Sequence, residues 1–352
     1  MVSDTKVKDI VEAKFGSGRL LKELLEYDCH EQSKFIFIGD PCQLPPVEGD
    51  SSPALEAEDI QDNFGYKAHS AELTQIMRQD NANDIISTAA HIRELFSKAP
   101  INNGEYRDKH AWGKLPFAGK RDIILHSSPI DLLNSYLRAV QKKSHENTIY
   151  IAQTNRQCRD VCNRVRERRG FKESLCVGDL LMVMQNQHTT GLMNGDFVEV
   201  LEIGKSIYKT FGHSNSTLAF QEVRLRENFT KREYSTMLII ECLIQGNLNA
   251  IQQSELFLDF AIRVKKLGIT QKKDNAAFNE MLSKDPFLNA LRCSYGYAVT
   301  CHKAQGGEWS DVYVDIPRNF MLNPTKATYQ WIYTALTRAK ETFHCVEDFY
   351  IN

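Results

Sequence analysis

Residues 35–50 read FIFIGDPCQLPPVEGD. The apolar run at 35–38 is of the kind that forms a short strand covered on both faces, as in a parallel sheet. It ends in Gly39 and a charged Asp40, and a polar Cys42-Gln43 pair then precedes Pro45 and Pro46. Ligands of open parallel sheets bind beyond the carboxyl ends of the strands, so Asp40 and Gln43 are candidate site residues. A Gln there can hydrogen-bond a phosphate oxygen or a water without adding charge. A plain turn stiffened by proline is the competing reading.

Working outward, LLKELLEY (20–27) and NDIISTAAHIRELF (83–96) carry apolar residues at helical spacing. RDIILHSS (121–128) and TIYIAQTN (148–155) read as strands separated by the helical PIDLLNSYLRAVQKK (129–143). Strand and helix alternate, which predicts an α/β parallel sheet. The next helix, RQCRDVCNRVRERRG (156–170), is dense in arginine. A solvated face is the favoured reading there, and a phosphate-facing patch the sharper one. From about 171 to 290 the pattern changes to short strands punctuated by glycine, VGDLLMVMQ, NGDFVEVLEIG, TLAFQEVRLRE and REYSTMLIIECLI, which predict hairpins and a small inserted β-barrel. After the polar 265–286, the strand-like YGYAVT and DVYVDIP restore the α/β character.

The 352 residues, 42% hydrophobic and 25% charged, suffice for two or more packed domains. A formal charge of -2 gives no global attraction to nucleic acid or membrane, so an anionic partner must be held by local patches. The nine cysteines form no pair of CxxC motifs at zinc spacing and no small secreted framework, so no metal site is expected, and a reducing cytoplasm fits. No apolar run approaches the ~20 residues that span a bilayer, and the first 15 residues lack the apolar centre of a signal peptide. No membrane partner is expected.

Three further strings carry chemistry. LTQIMRQ (73–79) sets Arg78 beside Gln79, a planar donor fork suited to phosphate oxygens or an ordinary surface pair. YAVTCHKAQGGEW (297–309) runs from a strand into a turn with Thr300, His302, Gly306, Gly307 and Glu308. Paired glycines let backbone approach a ligand closely, and the Thr hydroxyl and His ring can contact a nucleic-acid backbone. A catalytic Cys301-His302 pair is the weaker idea, since neighbours on an extended segment face opposite ways. YTALTRAKE (333–341) ends a helical pattern with Arg338, which is either a surface charge or an arginine finger.

In this order and spacing, GDPCQLPPV, LTQIMRQ, TCHKAQGGEW and YTALTRAKE resemble motifs III, IV, V and VI of superfamily 1 helicases of the RecD and Dda type. The resemblance runs from about residue 30 to the end and is weakest in the β segment. It implies a RecA-like lobe of the P-loop NTPase type carrying an inserted small β-barrel, preceded by the tail of a first RecA-like lobe. The implied domains are 1–80 (that tail), 81–170 and 291–352 (the second lobe), and 171–290 (the insert). By the same resemblance Gln43 senses a γ-phosphate, Arg78 and Arg338 hold it, and Asp40, Gly306 and Glu308 line the nucleotide cleft. Pro45, Pro46, Thr154, Asn155, Thr300 and His302 would meet single-stranded DNA. GLMNGDFVEV resembles an Asn-Gly-Asp turn of the inserted barrel.

The departures matter equally. The sequence has no GxxxxGK[ST]; FGSGRLL (15–21) lacks the Lys and the Ser or Thr that bind phosphates and Mg²⁺. No strand ending in Asp-Glu precedes residue 35. The expectation is therefore the carboxyl-terminal part of an ATP-dependent helicase, cut after its Mg²⁺-binding acidic pair, with Met1 an internal methionine of a longer protein. ATP and Mg²⁺ would belong to the full-length parent, and this chain alone would hold neither tightly. Single-stranded DNA and a missing amino-terminal half are the expected partners. 5′-to-3′ polarity rests on the resemblance alone, and RNA stays open as the nucleic acid. The alternative is a non-catalytic nucleic-acid- or partner-binding module that has lost the motor.

Overall fold

The computed structural model describes residues 19–27, 34–46, 49, 51–73, 83–101, 113–142, 147–212 and 215–352. Its contacts group into two units, the first comprising 1–136, 147–153 and 300–352, the second 137–146 and 154–299.

The first unit is a mixed α/β body on a parallel sheet. Four of its strands, β1 (Ile123–His126), β10 (Ala339–Val346), β9 (Trp309–Val314) and β2 (Thr148–Ala152), lie in the order β1-β10-β9-β2. The registers Ile123↔Phe343, Phe343↔Val312 and Ile149↔Val312 are all parallel. β2 is buried at every position, as the apolar run 149–152 requires of a central strand covered on both faces. Against this sheet lie α3 (Asp84–Lys98), opened by an Asn83 side chain that accepts the Ile85 N–H, and α9 (Lys326–Leu336), buried from Tyr329 to Leu336. A helix with almost every position buried is an interior element, so its polar Gln330 and Thr334 must find partners inside the protein. β1 leads into α4 (Pro129–Lys142), and β8 (Ala298–Thr300) is where the chain returns to the first unit.

Also in this unit, α1 (Leu20–Tyr27) and α2 (Ala57–Phe64) bury Leu21, Leu25, Ala54 and Ile60 in a small cluster joined by Phe37. The expected strand at KFIFIGD does not form. Residues 34–40 pair with no strand among the described residues, and while Phe37 packs on the cluster, Ile36 is 83% and Ile38 89% exposed. The alternation is that of a strand, but a strand needs a neighbour to take its N–H and C=O groups.

In the second unit α5 (Asn155–Arg169) is followed by β3 (Leu180–Val183), β4 (Phe197–Thr210), β5 (Thr217–Glu227) and β6 (Glu233–Ile239). After these come α6 (Ile240–Gln245), α7 (Ala250–Lys266), α8 (Asn275–Lys284) and β7 (Cys293–Tyr295). The antiparallel sheet has the order β6-β5-β4-β3-β7. A bridge from Leu238 in β6 to Leu291, just before β7, brings its two edges together, so the predicted small barrel is nearly closed. Register shifts in β4, between Val200 and Glu202 and between Ile203 and Ser206, supply the bend that closure needs. The stretch REYSTMLIIECLI, expected as strand throughout, turns helical at Ile240, once Ile239 N–H has met Leu291 O. The polar 265–286 contains α8, which buries only Phe278 and Leu282, one turn apart.

Among the described residues no helix is long and apolar enough to cross a membrane.

Candidate functional site

The decisive stretch folds as a closed loop in the first unit. Gln43 N–H donates to Asp40 O at 3.0 Å and Cys42 N–H to Asp40 Oδ1 at 3.0 Å, an Asx-type turn that fixes Pro41 and Cys42. Three long-range hydrogen bonds then anchor it. Gln330 Nε2 donates to Pro41 O (2.8 Å), Leu44 N–H to Thr334 Oγ1 (2.9 Å), and Gln305 Nε2 to Leu44 O (2.8 Å). Residues separated by 261 to 290 positions in the chain thus meet around residues 41–44. The polar groups of α9 find their partners here.

A residue with no sequence signal completes the anchor. Arg93, on α3, donates Nη1 to Asp40 Oδ1 at 2.6 Å and to Tyr333 Oη at 3.1 Å, and Tyr333 Oη donates to Asp40 Oδ2 at 2.9 Å. Its guanidinium also lies 5.5 Å from the centre of the Tyr333 ring, within cation–π range. Burial works against the Arg93 charge, but the Tyr333 and Asp40 hydrogen bonds outweigh it and hold the group above the ordinary arginine value. Burial, reinforced by the Asp40 charge, pushes the Cys42 thiol up to about 12. Burial likewise raises Tyr333 to about 12. Both are protonated donors at neutral pH.

The turn after β8 is built by its glycines. Gly306 has φ 83°, and a Cβ on Gly307 would collide with the Trp309 ring. Ala304 N–H donates to Thr300 O and Gly307 N–H to Ala304 O, coiling the segment so that Glu308 is exposed while Thr300 and His302 are half-buried. Burial alone lowers the His302 imidazole below the ordinary histidine value, so the ring is neutral at pH 7. The unfolded chain therefore takes up this proton first, and the fold loses stability as pH falls below about 6.5. Melting temperatures recorded across that range are expected to fall less steeply with acid for His302→Gln than for the natural chain.

Cys301 is fully buried, donates to Trp331 O at 3.4 Å and is raised by burial, so the Cys301-His302 pair offers no thiolate nucleophile.

Arg338, two residues beyond α9, is only 8% exposed. It donates Nε to Thr334 O (3.0 Å), Nη1 to Gly307 O (3.1 Å) and Nη2 to Thr337 Oγ1 (3.1 Å), tying the end of α9 to the glycine turn.

The fold thus gathers Asp40, Gln43, Pro45, Pro46, Thr300, His302, Gly306, Glu308 and Arg338 into one unit, with the loop, the glycine turn and α9 bonded together. Gln43 is half-buried, and its side chain makes no hydrogen bond among the described residues. Thr154 and Asn155 belong to the second unit, outside this cluster; the Thr154 hydroxyl caps α5, accepting Gln157 N–H at 3.2 Å. Arg78 lies outside the described residues.

The residues present do not fit ATP and Mg²⁺ by themselves. Both oxygens of Asp40 are already engaged, and the sequence has no phosphate loop. Among the described residues no group of three or more His, Cys, Asp or Glu is placed to hold a metal ion.

Residues 295–345 match the family described as the UvrD-like helicase C-terminal domain. That match falls on the last part of the chain, which holds the glycine turn and α9. Solved structures similar to the chain include a Pif1 helicase from Bacteroides in complex with ADP-AlF3 and ssDNA, at 16% identity and a TM-score of 0.39. That comparison covers 89% of this chain and 62% of the other. A Pif1 helicase from Candida albicans is similar at 14% identity and a TM-score of 0.33, covering 89% of this chain and 64% of its own. The chain therefore spans a little under two thirds of the length of these structures. No curated protein sequence matches it.

Proposed function

We propose that the chain is the carboxyl-terminal part of an ATP-dependent helicase that moves on single-stranded nucleic acid, the nucleotide being cleaved only when an amino-terminal half is joined to it. The observation that carries this reading is the anchoring of the 40–44 loop onto α9 and the glycine turn, inside and beside the segment of helicase type. The loop presents Gln43, a neutral group suited to sensing a phosphate oxygen, from a frame that a shift of α9 would move. Within that reading Arg338 reaches a phosphate only by leaving Gly307 O and Thr337 Oγ1, so nucleotide cleavage would be coupled to the packing of α9.

The phosphate loop and the Mg²⁺-binding acidic pair must then come from residues beyond these 352, in the same polypeptide or in a partner chain. The second reading, a binding module without a motor, is favoured by the full engagement of Asp40 and Arg338 in the fold. A DNA-stimulated ATPase assay separates the two. The isolated chain is expected to show no turnover at the ~1–100 per second typical of such enzymes. The chain joined to a helicase amino-terminal half is expected to hydrolyse ATP, and an inactive, correctly folded joined protein leaves only the binding module.

A further inference from the structure

The connection from β5 to β6 is an unusual piece of surface. Phe229, at its centre, is 93% exposed, yet the loop that carries it is fixed at every N–H. Asn228 N–H donates to Phe197 O at 2.9 Å, and the buried Glu227 carboxylate accepts Phe229 N–H (2.6 Å), Thr230 N–H (2.5 Å) and the Thr230 hydroxyl. Lys231 N–H donates to Glu227 O (3.0 Å) and Arg232 N–H to Thr230 Oγ1 (3.4 Å). Lys231 sits at φ 59°, a left-handed conformation that is unfavourable for a non-glycine residue. A buried carboxylate and a strained lysine are thus committed to holding an aromatic ring in water.

The surroundings narrow what the ring could meet. Lys231 and Arg232 are exposed beside it. Three acids of this loop and the adjoining strands are engaged within the fold: Glu227 by the loop's N–H groups and the Lys231 charge, Asp196 by Met193 N–H at 2.7 Å, and Glu233 by Arg224 Nη1 at 2.7 Å. The Asn228 bond to Phe197 places the loop beside the β3–β4 turn, where Met193 and Asn194 are exposed. One ring and one methionine are too little apolar surface for a protein interface, which needs a contiguous patch. An aromatic face flanked by cations on a rigid loop is what stacks a base and steadies its phosphates.

We propose that Phe229, with Lys231 and Arg232, is a base-stacking contact for single-stranded nucleic acid on the second unit. The inference rests on the nucleic-acid-binding reading above, and its test separates the two. Binding of the full 352-residue chain to an oligothymidylate of about 15 nucleotides is followed by fluorescence anisotropy over a salt series, in parallel with an abasic strand of equal length.

Phe229→Ala is expected to weaken binding to the oligothymidylate roughly tenfold, with an unchanged salt slope and no such loss on the abasic strand. Phe229→Trp is expected to retain affinity, with indole emission quenched as bases stack on it. Lys231→Gln with Arg232→Gln is expected to lower the salt slope on both strands. Equal affinity of Phe229→Ala and the natural chain overturns the stacking site while the nucleic-acid reading stands, and Phe229-dependent self-association in its place assigns the ring to a protein contact. If the natural chain binds neither strand at low salt, both readings fall.

Discussion

Arg166→Met is expected to lower the stability of the second unit by about 3–5 kcal/mol, the usual cost of breaking a buried ion pair by removing one partner. Arg166 grips Asp179 with two hydrogen bonds, Nε to Oδ1 at 2.9 Å and Nη2 to Oδ2 at 3.1 Å, and donates also to Glu173 O at 2.5 Å. Its guanidinium lies 4.3 Å from the centre of the Tyr295 ring. Burial opposes its charge, but the Asp179 hydrogen bond prevails and the group is held above the ordinary arginine value. Asp179 is 0% exposed. Without the arginine its carboxylate keeps only Cys176 N–H at 2.8 Å and Tyr297 Oη at 3.2 Å, too few partners for a charge with no water. This one pair joins α5, the 173–176 loop, the start of β3 and the strand end at Tyr295, so its loss loosens the root of the barrel.

The measurement is urea unfolding followed by circular dichroism, because Trp309 and Trp331 lie in the first unit and the second contains no tryptophan. A midpoint within error of the natural chain would show the pair to be dispensable. The double variant Arg166→Met, Asp179→Leu is expected to recover much of the loss, since a packed apolar pair requires no desolvated charge.

Arg166 also marks where the sequence could be read and where it could not. The helix 156–170 was legible as a helix, but its arginines read as one solvated face. Cys158, Cys162 and Arg166 recur every four residues, so one arginine had to fall on the buried stripe, and that spacing was the available signal. β2 and β9 were legible because their centres, 149–152 and 312–314, are continuously apolar, as strands covered on both faces are. The 34–40 run has the same local pattern and forms no ladder, because pairing depends on a neighbour rather than on the residues themselves. α8 was not legible, since two buried residues in ten leave almost no periodic signal.

In the candidate site three of the four motif strings, those at 39–47, 300–309 and 333–341, include segments that meet, yet the residue that joins them was missed. Arg93 stands 53 positions from Asp40 and 240 from Tyr333, and no local pattern distinguishes it from the other charges of α3.

That joint leads to the second large expectation. Asp40→Ala removes the acceptor for Cys42 N–H, Arg93 Nη1 and Tyr333 Oη together. The Arg93 side chain is 39% exposed, enough for water to replace Asp40 there, so the ion pair itself contributes little. The cost falls on the Cys42 N–H and the Tyr333 hydroxyl, both buried, at about 1–3 kcal/mol for each donor left unpaired. Those donors can regain water only if the loop lifts from α9, which also breaks the contacts of Pro41 with Gln330 and of Leu44 with Thr334. Amide exchange of residues 42–44 is therefore expected to quicken by at least tenfold, equivalent to ~1.4 kcal/mol, while β3 to β6 of the second unit exchange as before. Asp40→Asn, which keeps an acceptor in place, is expected to exchange at an intermediate rate. Unchanged exchange at Leu44 in Asp40→Ala would mean that Thr334 and Gln330 hold the loop alone, and Arg93 would then be a surface charge rather than the clasp of the site.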